Sequence, residues 1–267
     1  MIPQISPDTY QPSHSMAGAA NADTKQGSPQ VFVIDTSNDH YGKGFGHAEV
    51  INAIIFEESG VRARTMDIPA IGDRRHSTGA DEFKQVAGNL ETIGKSARGR
   101  LDHVFVNISI GFSKEQADKN PQAWNALKHQ LEAVIRRGAK VFVAAGNVND
   151  PANYLGSVNG VITVGSTRPV TSDRKHLPYI SDGDIDVRAD PVVHFKRTKD
   201  GVSVGDTGVT DIKLPDNFQL DEAGTEGTSF ASPRALARAI RTGSIPKDTN
   251  HARGPEYLEP KFPEFRL

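Results

Sequence analysis

Between residues 31 and 164 the chain alternates two hydrophobic patterns. Short unbroken apolar runs, such as Val31-Phe32-Val33-Ile34, Val104-Phe105-Val106 and Val141-Phe142-Val143-Ala144-Ala145, are separated by longer stretches with apolar residues three and four apart. An unbroken apolar run that ends in a polar residue suits a parallel strand buried on both faces. The runs predict strands at Val31–Asp35, Val104–Ile108, Val141–Ala145 and Val161–Val164, and Val61–Met66 reads as a further strand. The spaced pattern predicts helices over Gly46–Phe56 (Val50, Ile51, Ile54, Ile55), Asp81–Ala97 (Phe83, Val86, Leu90, Ile93) and Pro121–Arg137, the last stopped by Gly138. Strands alternating with helices predict an α/β fold of three layers, with a mostly parallel central sheet and helices on both faces. Functional loops of such sheets gather at the carboxyl ends of the strands. Asp35, Ser109-Ile110-Gly111 and Gly146-Asn147 all fall at those ends.

Outside that region the pattern is weaker. Residues 1–29 are rich in Pro, Ser, Gln, Ala, Asn and Thr without apolar periodicity, so a disordered leader is expected, followed by one domain over residues 30–267. Residues 168–222 hold short β-like pieces, Ile185-Asp186-Val187 and Val192-Val193-His194-Phe195, among Asp- and Gly-rich loops. A further Ala-rich helical run follows Ser229 and extends through Ile240. Pro233 is expected in the first turn of that helix, where a missing N–H costs little.

Composition narrows the function. The 267 residues carry 31 Lys+Arg against 33 Asp+Glu, a net charge of −2, so neither nucleic acid nor an anionic membrane is an expected partner. There is no cysteine, which excludes disulfides, thiolate metal sites and a cysteine nucleophile. No apolar run approaches the ~20 residues of a membrane helix. The N-terminus lacks a basic segment followed by an apolar core, so no classical secretory signal is read. The two expectations are a cytoplasmic protein or export by a non-classical, effector-type route. A monomer is expected.

The candidate chemistry is ambiguous residue by residue. Ser229 in Gly227-Thr228-Ser229 sits at a helix start, where a serine is ordinarily a cap. Asp35 ends a strand, His47 opens a helix, and Gly146-Asn147 has the composition of a turn. Taken together, and in this order, the words change meaning. Val33-Ile34-Asp35-Thr36, His47 with its helix, Asn107-Ile108-Ser109-Ile110-Gly111, Val143-Ala144-Ala145-Gly146-Asn147, Val161-Ile162-Thr163-Val164-Gly165 and Gly227-Thr228-Ser229-Phe230-Ala231-Ser232-Pro233 resemble the subtilisin-like serine proteases, the subtilases. The likeness spans roughly residues 30–241, and its most specific word is the one around Ser229.

The resemblance implies a serine endopeptidase acting on polypeptides through an acyl-enzyme. Ser229 would be the nucleophile, His47 the general base, and Asp35 the carboxylate that orients His47. Asn147 would donate to the oxyanion. Ser109, Ile110 and Gly111 would pair with extended substrate, and Ala144, Ala145 and Gly146 would line the pocket before the cleaved bond. Ser77-Thr78-Gly79 is a candidate for the substrate's other side. No cofactor is required by this chemistry. Structural calcium is common in the family, and Asp182, Asp184 and Asp186 form the acidic cluster that would be examined for it, although a solvated turn is the simpler reading. Three departures stand out: Ala48-Glu49-Val50 follows His47 where the family has Gly-Thr-His, Ser37 replaces a Gly, and the loop from Asp35 to His47 is short. The change after His47 leaves open a catalytically weak or inactive peptide-binding module; a peptide ligase or cyclase using the same acyl-enzyme is a further alternative that no feature of the sequence selects.

Overall fold

The computed structural model describes residues 27–36, 46–68, 79–96, 99–146, 153–167, 185–193, 195–198, 201–204 and 225–245. In chain order they form β1 (Gln30–Thr36), α1 (His47–Ser59), β2 (Ala63–Ile68), α2 (Ala80–Ser96), β3 (Val104–Ile108), α3 (Lys114–Lys119), α4 (Pro121–Arg136) and β4 (Lys140–Ala144). A 3₁₀ turn at Tyr154–Ser157 follows, then β5 (Val161–Ser166), β6 (Val187–Ala189), β7 (Val192–Val193), β8 (Phe195–Thr198), β9 (Gly201–Val204), β10 (Thr225–Glu226) and α5 (Thr228–Thr242).

Six strands make one sheet in the order β2-β1-β3-β4-β5-β6, and every pairing in it is parallel. The apolar runs become strands covered on both faces because alternate side chains point to opposite sides. Phe32 and Ile34 of β1, Val106 and Ile108 of β3 and Val143 of β4 join Phe83, Leu90 and Ile93 of α2 and Leu127 and Leu131 of α4 in one core. Val31, Val33, Phe105 and Phe142 point the other way and pack with Ile51, Ile54 and Ile55 of α1 and Phe230 and Leu236 of α5. Each such side chain, fully buried, contributes about 1.5–3 kcal/mol. The three-layer α/β expectation therefore holds. β8 and β9 form a separate antiparallel pair, as do β7 and β10.

Two helix boundaries bear on the site. α1 starts at His47, with Gly46 as its N-cap. Glycine has no side chain to cap with, so Glu49 reaches back, its Oε2 accepting the Gly46 N–H at 2.7 Å. α5 starts at Thr228, with Gly227 as its N-cap, so Pro233 lies inside the helix and not in its first turn as its position in the sequence suggests. Among the described residues no helix is long and apolar enough to cross a membrane.

Candidate active site

The order of the sheet reverses between β2-β1 and β3 onward, so connections leave the carboxyl end of β1 and β3 in opposite directions. That divergence opens a crevice at the carboxyl edge. Asp35, buried, is the penultimate residue of β1 and lies at that edge. His47 is the first residue of α1, whose buried Val50, Ile51, Ile54 and Ile55 lock the helix in place. Ser229 is the second residue of α5, held by Phe230, Ala231, Ala235 and Leu236, all buried.

These three elements bring together side chains far apart in sequence. His47 Nδ1 lies 2.6 Å from Asp35 Oδ2, and His47 Nε2 lies 2.9 Å from Ser229 Oγ. The other Asp35 oxygen accepts the Thr36 N–H at 2.7 Å. An ionised carboxylate only accepts hydrogen bonds, so the imidazole proton belongs on Nδ1. Neutral His47 then offers Nε2 as an acceptor, and the Ser229 hydroxyl donates to it. The Phe230 ring sits 5.1 Å from the imidazole, centroid to centroid, and walls it on the α5 side. A carboxylate, an imidazole and a hydroxyl in this sequence can withdraw the hydroxyl proton as the oxygen attacks an electrophile.

Ser109, Ile110 and Gly111 continue from β3 toward the same edge, beyond the last strand residue. The Ser109 N–H donates to the Ile34 carbonyl, and its hydroxyl donates to the Ser229 carbonyl at 3.1 Å. Ala144 ends β4, with Ala145 and Gly146 following it. Gly146 has φ 106°, a left-handed conformation that side chains disfavour, although a Cβ there would meet nothing within 4 Å. Its N–H donates to Thr228 Oγ1 at 3.0 Å, tying this turn to the start of α5. Asn147, Ser77, Thr78, Asp182 and Asp184 lie outside the described residues. Asp186 is described, and its Oδ2 accepts the Thr163 N–H at 2.8 Å. Among the described residues no group of three His, Asp or Glu side chains is arranged to hold a metal ion.

Asn153 is a residue the sequence reading missed. It is buried, and its amide spans the two segments beside the site. Nδ2 donates to the carbonyls of Ile110 at 2.7 Å and Ala144 at 3.0 Å, while Oδ1 accepts the N–H groups of Phe112 at 3.2 Å and Leu155 at 3.3 Å. Phe112 packs in turn on Phe83, whose ring also meets Trp124 of the Trp124–Tyr154 pair. Its cap on Leu155 is local, but no local signal announces the bridge made by Asn153, because Phe112 and Ile110 lie 41 and 43 positions away.

The model of the Subtilase family matches residues 77–243, more than half of the chain. The chain belongs to the subtilase family. The match includes the segments of Ser109, Ala144–Gly146 and Ser229 and begins after Asp35 and His47. Subtilases are serine proteases, and a polypeptide substrate follows from membership. Similar solved structures include a lanthipeptide protease, at 15% identity and TM-score 0.48, covering 82% of this chain and 76% of that one. Another is the epidermin leader peptide processing serine protease of Staphylococcus aureus, at 13% identity and TM-score 0.45, covering 81% of this chain and 65% of that one. No curated protein matches the sequence.

Proposed function

We propose that this subtilase is an active serine endopeptidase with Asp35, His47 and Ser229 as its catalytic groups. The observation that carries this reading is the pair of contacts made by one imidazole, 2.6 Å to Asp35 and 2.9 Å to Ser229. His47 takes the Ser229 proton as Oγ attacks the scissile carbonyl, then returns it to the leaving amine. Asp35 keeps the imidazole in the required tautomer and stabilises its cation. Asn147, directly after the left-handed Gly146, donates to the oxyanion together with the Ser229 N–H, one of the first-turn donors that no helical carbonyl can satisfy.

Substrate would lie extended along Ser109, Ile110 and Gly111, its side chain before the cleaved bond facing Ala144, Ala145 and Gly146. Glu49, whose place beside His47 motivated the inactive alternative, is engaged with the Gly46 N–H. Profiling cleavage on a peptide library, with Ser229→Ala as control, tests the proposal. Cleavage by the wild type alone is expected. Specific retention of peptides without turnover would instead support the binding module, and joined products in the mass spectrum would support a ligase.

A further inference from the structure

The main-chain carbonyl of Ser229 has lost its ordinary helical partner. In an α-helix that oxygen accepts the N–H four residues on. Here the residue four on is Pro233, inside α5, which has no N–H and whose ring crowds the same carbonyl. The Ser109 hydroxyl fills the gap, donating to the Ser229 oxygen at 3.1 Å from 120 positions away.

Two more bonds determine which way that hydroxyl points. Asn107 Nδ2, which can only donate, meets Ser109 Oγ at 2.8 Å. It therefore occupies a lone pair of Ser109 and leaves the hydroxyl proton for the Ser229 carbonyl. Asn107 is oriented in its turn by Ser232, whose hydroxyl donates to Oδ1 at 2.7 Å. Flipping the amide would make Ser109 donate to Asn107 and turn a lone pair on the Ser229 carbonyl, so the network has one consistent direction. Asn107 and Ser232 are wholly buried, so water does not substitute for either.

We propose that Ser109, aimed by Asn107 and Ser232, is a positioning residue for Ser229. Its hydroxyl stands in for the helical N–H that Pro233 lacks and holds the first turn of α5 where Ser229 Oγ meets His47 Nε2. This role is separate from any pairing of residues 109–111 with substrate, and it rests on Ser229 being the nucleophile.

The test compares rates of labelling by a fluorophosphonate probe in the full-length wild type, Ser109→Ala, and Ser109→Ala combined with Pro233→Ala. Alanine at position 233 restores a backbone N–H four residues after Ser229. Ser109→Ala is expected to lower the maximal labelling rate by about ten- to a hundredfold, the cost of a displaced reacting group, with the half-saturating probe concentration unchanged. The double variant is expected to regain most of the rate, which a merely structural contribution of Ser109 would not predict. An unchanged rate in Ser109→Ala, or a loss that Pro233→Ala does not restore, overturns the proposal. Should the alanine variant not fold, Ser109→Thr and Ser109→Val carry the comparison, since they share a shape and differ in the hydroxyl. Thr is then expected to label faster than Val, and equal rates overturn the proposal. Failure of the wild type itself to label would instead contradict the nucleophile assignment.

Discussion

Asp35 and His47 meet at 2.6 Å across a boundary between interior and solvent, the carboxylate 2% exposed and the imidazole 18%. A buried carboxylate is tolerated when its oxygens are bonded. Here the imidazole satisfies one oxygen and the Thr36 N–H the other. Asp35→Asn is expected to keep the fold and lose the reaction. An amide can present N–H to Nδ1, which moves the imidazole proton to Nε2 and leaves a donor facing Ser229. Turnover on a peptide identified by library profiling should fall by about 10⁴, the size of the tautomer effect in the serine-protease reference case. A loss of less than about tenfold, roughly 1.4 kcal/mol, would contradict the orienting role.

Asn153 is expected to matter for stability before it matters for rate. Truncating it to alanine leaves two N–H groups and two carbonyls in the interior without this partner. The expected loss is about 2–4 kcal/mol. At about 2–4 °C per kcal/mol for a chain of this size, the melting temperature followed by circular dichroism should drop by several degrees. A midpoint equal to that of the wild type would mean that packing alone holds the two site segments together.

Glu58 supplies a pH-dependent test. It joins α1 to α5 through Arg234, and the burial of its carboxyl, together with the neighbouring Glu57 charge, outweighs the attraction of the arginines and raises its pKa above the ordinary carboxylate value. A raised folded-state pKa means that the folded protein binds the proton more tightly than the unfolded chain does. The contribution of Glu58 is therefore fully present in acid and declines as pH rises through its folded value. Urea midpoints of wild type and Glu58→Gln, measured from acid to neutral pH, should diverge with the wild type losing ground as pH increases. A difference that is flat, or that moves in the wild type's favour with pH, would contradict this.

The strands of the central sheet were legible because β1, β3, β4 and β5 are covered on both faces and so read as unbroken apolar runs. α3 was not, since Lys-Glu-Gln-Ala-Asp-Lys buries only Ala117 and carries no apolar period. The start of α5 at Gly227-Thr228-Ser229 was legible, but the place of Pro233 in it was not. Gly227 caps it without a side chain, and Pro233, expected in the first turn, lies five residues after Thr228, inside the helix. Of the site, Asp35, His47 and Ser229 were legible as words shared with a family. The partnership of Asn107 with Ser232, and the bridging role of Asn153, were not, because hydrogen bonds between residues 125 or 43 positions apart leave no local pattern.

The most direct measurement is covalent labelling of the intact protein by a fluorophosphonate, with the modified residue located by peptide mass mapping. A nucleophile activated by His47 predicts a single adduct on Ser229 in the wild type and none in Ser229→Ala. Equal labelling of both proteins, or an adduct on any other residue, would contradict the assignment of Ser229 as the reacting group.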